Sequence, residues 1–215
     1  MTANVQDYLK LIYQEGGVNN RVSNKVIAGK LGVAPPSVTE MLTKLNKQGL
    51  IQYTPYKGSL LTARGIEECI PVVRGYRLWE VFLMRHLGYT GNDAHEDAHL
   101  LEHATPPRML EALDRFLNYP EYCQHGSAIP RPDGTYSVLE LIPMAEMKEG
   151  AAGIIRRVSE ENALMDYLEG TGLAIGSRIT LVKIDDYEGP YHIETKNGEI
   201  IISYKATSKI YVELE

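Results

Sequence analysis

One stretch, His95-Glu96-Asp97-Ala98-His99-Leu100-Leu101-Glu102-His103, restricts the fold of this chain more than any other. At about 100° per residue in a helix, His95, His99, Glu102 and His103 fall within roughly one third of the circumference. Ala94, Ala98 and Leu101 run beside them as an apolar stripe, so the segment can pack into a helical bundle with imidazole and carboxylate on one face. A solvated, internally paired surface has the same composition, so the rest of the chain has to decide between metal ligands and salt links. The run also spells His95-Glu96-x-x-His99, the zinc-hydrolase pattern in which two histidines hold the ion and the glutamate activates water. Asp97 between the histidines and Glu102 at the metzincin glycine position depart from that pattern. With Glu102 and His103 filling the remaining corners the site is closed, which suits regulation better than catalysis.

A chain of 215 residues with 44% hydrophobic content allows one large or two modest domains with a real core. No apolar run approaches the roughly 20 residues that span a bilayer. The opening Met1-Thr2-Ala3-Asn4 lacks the basic and apolar regions of a signal peptide, so the expectation is a cytoplasmic protein with no membrane partner. Cys69 and Cys123 are too few for a disulfide framework and read as thiols, each a core residue or a ligand. The net charge of −6 argues against nucleic acid until its distribution is read: residues 1–64 carry eight basic and three acidic side chains, a net +5, which leaves −11 for the remainder. A basic front suits DNA, and an acidic rear suits cations.

Tyr8, Leu9, Leu11 and Ile12 predict a first helix ended by Gly16-Gly17, with Asp7 near its start. Ser23 offers an N-cap for a second helix carrying Val26, Ile27 and Leu31 and closed by Gly32. Pro35-Pro36 suits the first turn of a third helix, whose apolar face is Val38, Met41, Leu42 and Leu45 and which ends at Gly49. Leu50–Thr54 and Ser59–Leu61 around Lys57-Gly58 read as a hairpin before Thr62 caps the next helix. A helix-turn-helix followed by a wing, with a basic, polar outer face, points to DNA rather than to a generic packing unit. Pro36, Ser37, Thr39, Glu40 and Thr43 would lie toward the groove, with Lys44, Lys47 and Lys57 on phosphates.

From Thr62 to about Leu87 a long apolar stripe predicts a helix interrupted at Pro71, with Tyr76 and Glu80 on one face. Pro106-Pro107 starts another amphipathic helix through Met109, Leu110, Leu113, Phe116 and Leu117. A core or a dimer interface accounts for such faces.

Taken together, Asp7, Ala34-Pro35-Pro36-Ser37-Val38-Thr39-Glu40-Met41, Arg77-Leu78-x-Glu80, His95-Glu96, Leu101-Glu102-His103 and Cys123-Gln-His125-Gly126 resemble the iron- and manganese-dependent repressors of the DtxR/MntR family over residues 1–140. The resemblance is greatest to the streptococcal manganese-sensing branch. After a Pro- and Gly-rich linker at residues 129–134, short β runs (Ile154-Ile155, Ile179–Val182, Ile200–Ile202, Ile210–Val212) predict a small β-barrel. Its Leu168-x-x-x-Gly172-Leu173-x-Ile175-Gly176 resembles the SH3-like domain that the family shares with ferrous-transport accessory proteins.

The fold class expected is therefore mainly α with a small β domain: a winged helix-turn-helix at residues 1–64, a helical dimerisation and metal-binding domain at 65–140, and an SH3-like domain at 141–215. The resemblance implies a metal-dependent repressor that controls uptake genes, a homodimer on double-stranded operator DNA, with Mn²⁺ or Fe²⁺ as cofactor and Zn²⁺ able to bind in vitro. It implies one cluster of Glu80, Cys123, His125 and Glu160, a second of Asp7, His99, Glu102 and His103, and His95 serving either. Two positions depart: Tyr76 where relatives place histidine, and His99 where they place glutamate or cysteine, so the second cluster is richer in nitrogen. The residues alone leave open a zinc hydrolase using His95, Glu96 and His99, and a winged-helix regulator with an organic effector.

Overall fold

The computed structural model describes residues 1–215, the side chain of Asn162 excepted. The chain divides into two compact units, one of residues 1–79, 97–119 and 130–136, the other of residues 80–96, 120–129 and 137–215.

The first unit opens with α1 (Ala3–Gln14), α2 (Asn24–Leu31) and α3 (Pro35–Lys47), then the hairpin β1 (Ile51–Thr54) and β2 (Gly58–Leu61). The capping signals act as expected: the Ser23 hydroxyl accepts the Val26 N–H at 3.3 Å, Gly32 turns left-handed at φ 64°, and Pro35 and Pro36 occupy the first turn of α3. The buried faces of these helices, Leu9, Ile12, Ile27, Val38, Leu42 and Leu45, form one core with Ile51 of the wing and with Cys69 and Val73 of α4 (Ala63–Leu87). Burial pushes the Cys69 thiol up to about 12, so this cysteine is an inert core residue.

Helix α4 runs unbroken through Pro71, where an interruption was expected. Pro71 and Glu67, whose carbonyl loses its donor there, both lie on the exposed face, so water can satisfy what the ring removes. In the same unit Arg74 donates to Asp114 of α6 (Pro107–Phe116) at 2.8 Å and to the Pro130 carbonyl at 2.5 Å, a buried pair that ties three segments together. Helix α5 spans Gly91–Ala104, and its residues 97–104 belong to this unit.

The second unit holds a six-stranded antiparallel sheet of order β3-β8-β4-β5-β6-β7. The strands are β3 (Ile142–Pro143), β4 (Ala152–Val158), β5 (Arg178–Ile184), β6 (Tyr191–Thr195), β7 (Gly198–Ile202) and β8 (Ile210–Leu214). Alternate residues Ile155, Ile179, Leu181, Tyr191, Ile193 and Val212 pack with Leu164 and Leu168 of α7 (Asn162–Thr171). The one-turn helix α8 (Tyr204–Thr207) precedes β8. Strand β6 and helix α7 were not foreseen: β6 alternates cleanly but is only five residues long, and α7 lies in a stretch that its glycines had marked as β-rich.

The wing depends on one glycine. Gly58 sits at φ 96°, and a Cβ there would stand 2.3 Å from the Val22 carbonyl, in the place where Val22 and Ser59 exchange two 2.9 Å hydrogen bonds. Gly58→Ala is expected to destabilise the protein by about 1–3 kcal/mol. Urea denaturation measures this, and an unchanged midpoint would mean that the bridge yields without strain.

Candidate metal centre

Among the described residues, two groups of His, Cys, Asp and Glu bring one ligand atom each within 4.8 Å of one another: Asp7, His99, Glu102 and His103 in the first unit, and Glu80, Cys123 and His125 in the second.

The second unit's group is fully buried. Glu80 comes from α4, whereas Cys123 and His125 come from a tight loop closed by Gly126 N–H to Cys123 O (3.0 Å) and Cys123 N–H to Ser127 O (2.9 Å). Gly126 is obligatory there: its φ is 76° and a Cβ would stand 1.7 Å from the Arg156 carbonyl. Strand β4 also holds the loop, through Val158 N–H to His125 O at 3.0 Å. His125 Nδ1 lies 2.8 Å from Glu80 Oε1. Burial works against the imidazolium, but the hydrogen bond and charge of Glu80, with the charge of Glu160 added, outweigh it, so His125 titrates above its ordinary 6.5. Glu160 stands outside the group and accepts from the Ser127 hydroxyl at 3.1 Å. Carboxylate, thiol and imidazole together fit a first-row divalent ion.

The first unit's group joins α1 to α5. His103 Nε2 is 3.0 Å from Asp7 Oδ1 and 3.3 Å from Glu102 Oε1, while His99 Nδ1 is 2.9 Å from Glu102 Oε1 and His99 Nε2 is 4.0 Å from Asp7 Oδ1. Gln6 Oε1 sits 2.8 Å from His103 Nδ1. With the amide oxygen facing it, Nδ1 carries the proton and Nε2 offers its lone pair to the site. Asp7 Oδ1, Glu102 Oε2 and His103 Nε2 are buried without a hydrogen bond. Lone pairs so close together repel unless a cation stands among them, so this set also fits a positive ion.

Two neighbours of that group were not anticipated from the sequence. Gln6 is one. Lys10 is the other: its Nζ lies 2.5 Å from Glu102 Oε1, 3.2 Å from His99 Nδ1 and 4.4 Å from the centroid of the buried Tyr76 ring. Lys10 lies one turn after Asp7 on the same helix face, a spacing that also suits an ordinary surface pair. His95 is half-buried and belongs to neither group.

On the DNA side, Pro36, Ser37, Thr39, Glu40, Thr43, Lys44, Lys47 and Lys57 are all exposed. Asn24 Nδ2 donates to Thr39 Oγ1 and to the Tyr53 hydroxyl, both at 3.1 Å, and Tyr53 N–H donates to Asn46 Oδ1 at 2.9 Å, which locks α3 to α2 and to the wing. Thr39 Oγ1 donates to Pro35 O at 3.1 Å, which commits its hydroxyl and leaves its methyl for contact.

Residues 1–59 match the N-terminal DNA-binding domain of iron dependent repressors, residues 62–131 the metal binding and dimerisation domain of the same repressors, and residues 142–214 the FeoA domain. An HTH-type transcriptional regulator of Methanocaldococcus jannaschii is 36% identical over 118 residues, 54% of this chain and 94% of that one. The chain belongs to the DtxR/MntR family of metal-dependent repressors. The transcriptional regulator MntR of Oceanobacillus iheyensis is 32% identical over 55% of this repressor and 80% of its own length. The solved structure of the manganese regulator SloR is 37% identical, covers 100% of both chains and superposes with a TM-score of 0.84. This repressor is a DNA-binding regulator that depends on a divalent metal, with helical N-terminal domains and a C-terminal antiparallel sheet. It is not an enzyme, since the family regulates transcription. An organic effector is likewise displaced by the metal binding domain. Among the described residues, no helix is long and apolar enough to cross a membrane.

The raised His125 carries a prediction. In the metal-free protein its bond to Glu80 contributes stability fully present below pH 6.5 and lost as pH rises through the raised folded value. A divalent ion competes with that proton, so binding near neutral pH should release a proton and weaken as pH falls. Calorimetry in two buffers of different ionisation enthalpy measures the release; identical heats would exclude His125 as a ligand.

Proposed function

We propose that this repressor acts in the cytoplasm as a homodimer on double-stranded operator DNA, with Mn²⁺ or Fe²⁺ as activating ion, and controls genes for metal-ion uptake. The observation that carries this reading is the wholly buried Glu80, Cys123 and His125 group, in which a carboxylate, a thiol and a charged-prone imidazole share a space within 4.8 Å. SloR, named as a manganese regulator, and the iron-dependent repressor IdeR of Mycobacterium leprae support the choice of ion. Raw affinity follows the Irving–Williams order, so Zn²⁺ binds in vitro whichever ion the cell supplies.

The functional division is residues 1–64 for DNA, 65–140 for metal and dimerisation, and 141–215 for a domain that brings Glu160 toward His125. In a dimer two α3 helices enter successive major grooves about 34–36 Å apart. Pro36, Ser37, Thr39, Glu40 and Thr43 face base edges, and Lys44, Lys47 and Lys57 hold phosphates. The divalent ion supplies the positive charge that closely grouped carboxylates and imidazoles need in order to stay together. The residues do the rest: Glu80 and His125 hold each other in register, the Gly126 loop fixes Cys123, and Asp7 links α1 of the DNA-binding domain to His99, Glu102 and His103 of the metal-binding domain. An ion bound more tightly in the DNA-competent arrangement shifts the population toward it, and DNA reciprocally tightens the ion.

Operator titration after chelation and after addition of Mn²⁺, Fe²⁺ or Zn²⁺ is expected to show a metal-dependent gain on the order of 1–3 kcal/mol per linked site. Cys123→Ala and His125→Ala should abolish that gain; Cys123→Ala should leave the metal-free fold intact, whereas His125→Ala also lowers metal-free stability because Glu80 loses its partner. Retained activation in both would move the regulatory site elsewhere. Lys44→Ala should weaken binding to every sequence and reduce the log–log salt slope by about 0.9. An untouched slope would take Lys44 off the phosphate backbone.

A further inference from the structure

Lys10 is out of place in a set of metal ligands. Its side chain is about nine-tenths buried, its ammonium lies 2.5 Å from Glu102 Oε1 and 3.2 Å from His99 Nδ1, and the Tyr76 ring lies against it at 4.4 Å. A buried ammonium needs this environment: a carboxylate for its charge, a nitrogen or oxygen for its hydrogens, and an aromatic face. Tyr76 and His99 both touch the ammonium, the ring through its face and the imidazole through Nδ1.

We propose that Lys10 is the resident cation of the α1–α5 cluster, a tethered competitor that keeps a divalent ion from binding tightly there. The proposal rests on the metal-dependent reading above and refines it. In the metal-free protein Lys10 already joins α1 to α5 through Glu102. The cluster splits into two halves. Glu102 Oε1 and His99 Nδ1 are engaged with the ammonium, while Asp7 Oδ1, Glu102 Oε2 and His103 Nε2 remain buried without a hydrogen bond. That second half is a three-point set beside a fixed positive charge, so an ion enters it only against repulsion or by driving Lys10 off Glu102. The fully buried group of Glu80, Cys123 and His125 is then the tight site, and the repressor carries one tight ion per protomer.

Calorimetric Mn²⁺ titration of the full chain tests this. The wild type is expected to bind one ion per protomer tightly, with any second ion at least tenfold weaker. Lys10→Met keeps length and bulk without the charge and should either convert the stoichiometry to two tight ions or tighten the second at least tenfold. Lys10→Arg should behave as wild type. In a Cys123→Ala background, Lys10→Met should still gain one ion that a further His103→Ala removes, which reads this cluster independently of the other. Thermal melts give a second readout: Lys10→Met should be destabilised without metal and regain stability on adding Mn²⁺. Two ions of similar affinity in the wild type, one of them lost on Asp7→Ala, would overturn the proposal even if no Lys10 variant folds. So would Lys10→Met with wild-type stoichiometry and affinities. Absence of tight binding in wild type, with a single ion appearing in Lys10→Met, would refute the metal reading of Glu80, Cys123 and His125 and leave the role of Lys10 standing.

Discussion

Two glutamate side chains with no exposure to solvent, Glu80 and Glu102, dictate how this chain folds back on itself. A carboxylate withdrawn from water costs several kcal/mol unless positive charge or hydrogen-bond donors meet it. Each has a partner far away in sequence. Glu102 draws Lys10 from α1 in addition to His99 and His103 on its own helix, and Glu80 draws His125 from a loop beyond α6. The hydrophobic cores supply most of the stability of each unit, but they leave many packings open. The buried acids weigh against those that would leave either carboxylate without a partner.

The front of the chain was legible because its signals are local. Ser23, Gly32, Pro35-Pro36 and Thr62 each act on a backbone within a turn of themselves, and a three-residue cap motif reads the same in a sequence as in a fold. The identities of the clustered ligands were legible through resemblance, which already contains long-range information. What remained hidden was long-range and unshared. Lys10 looks like a polar residue on an amphipathic helix until Glu102, 92 positions later, is seen against it. Gln6 gains its role only once His103 arrives. Helix α7 and strand β6 were missed for another reason: short elements between glycines give periodicity too little length to show itself. Pro71 misled because a proline on the exposed face of a long helix leaves its orphaned carbonyl to water.

The DNA-reading head shows how much of a recognition surface is spent on its own rigidity. Asn24, Asn46 and Tyr53 connect α2, α3 and the wing side chain to side chain or side chain to backbone, and Arg21 adds two bonds at 3.1 Å to the carbonyls of Gln52 and Gly58. Polar side chains on the α2–α3 face therefore divide into those that hold the helix and those left for a partner. Thr39 belongs to both groups, which makes it a poor hydrogen-bond reader and a good methyl contact.

Gly126 carries a consequence for how such a protein changes over generations. The loop that bears Cys123 and His125 lies so close to the strand behind it that a single added carbon would stand 1.7 Å from the Arg156 carbonyl. The loop and that strand share one surface without room for adjustment, so their contours are inherited as a pair. Exchanging the sheet-bearing segment for one of different curvature, the ordinary currency of domain shuffling, would displace the loop and with it two side chains of the buried group. Any bend in that strand therefore reaches Cys123 and His125 through the loop, so the sheet acts on the buried group mechanically although it need supply none of its three members.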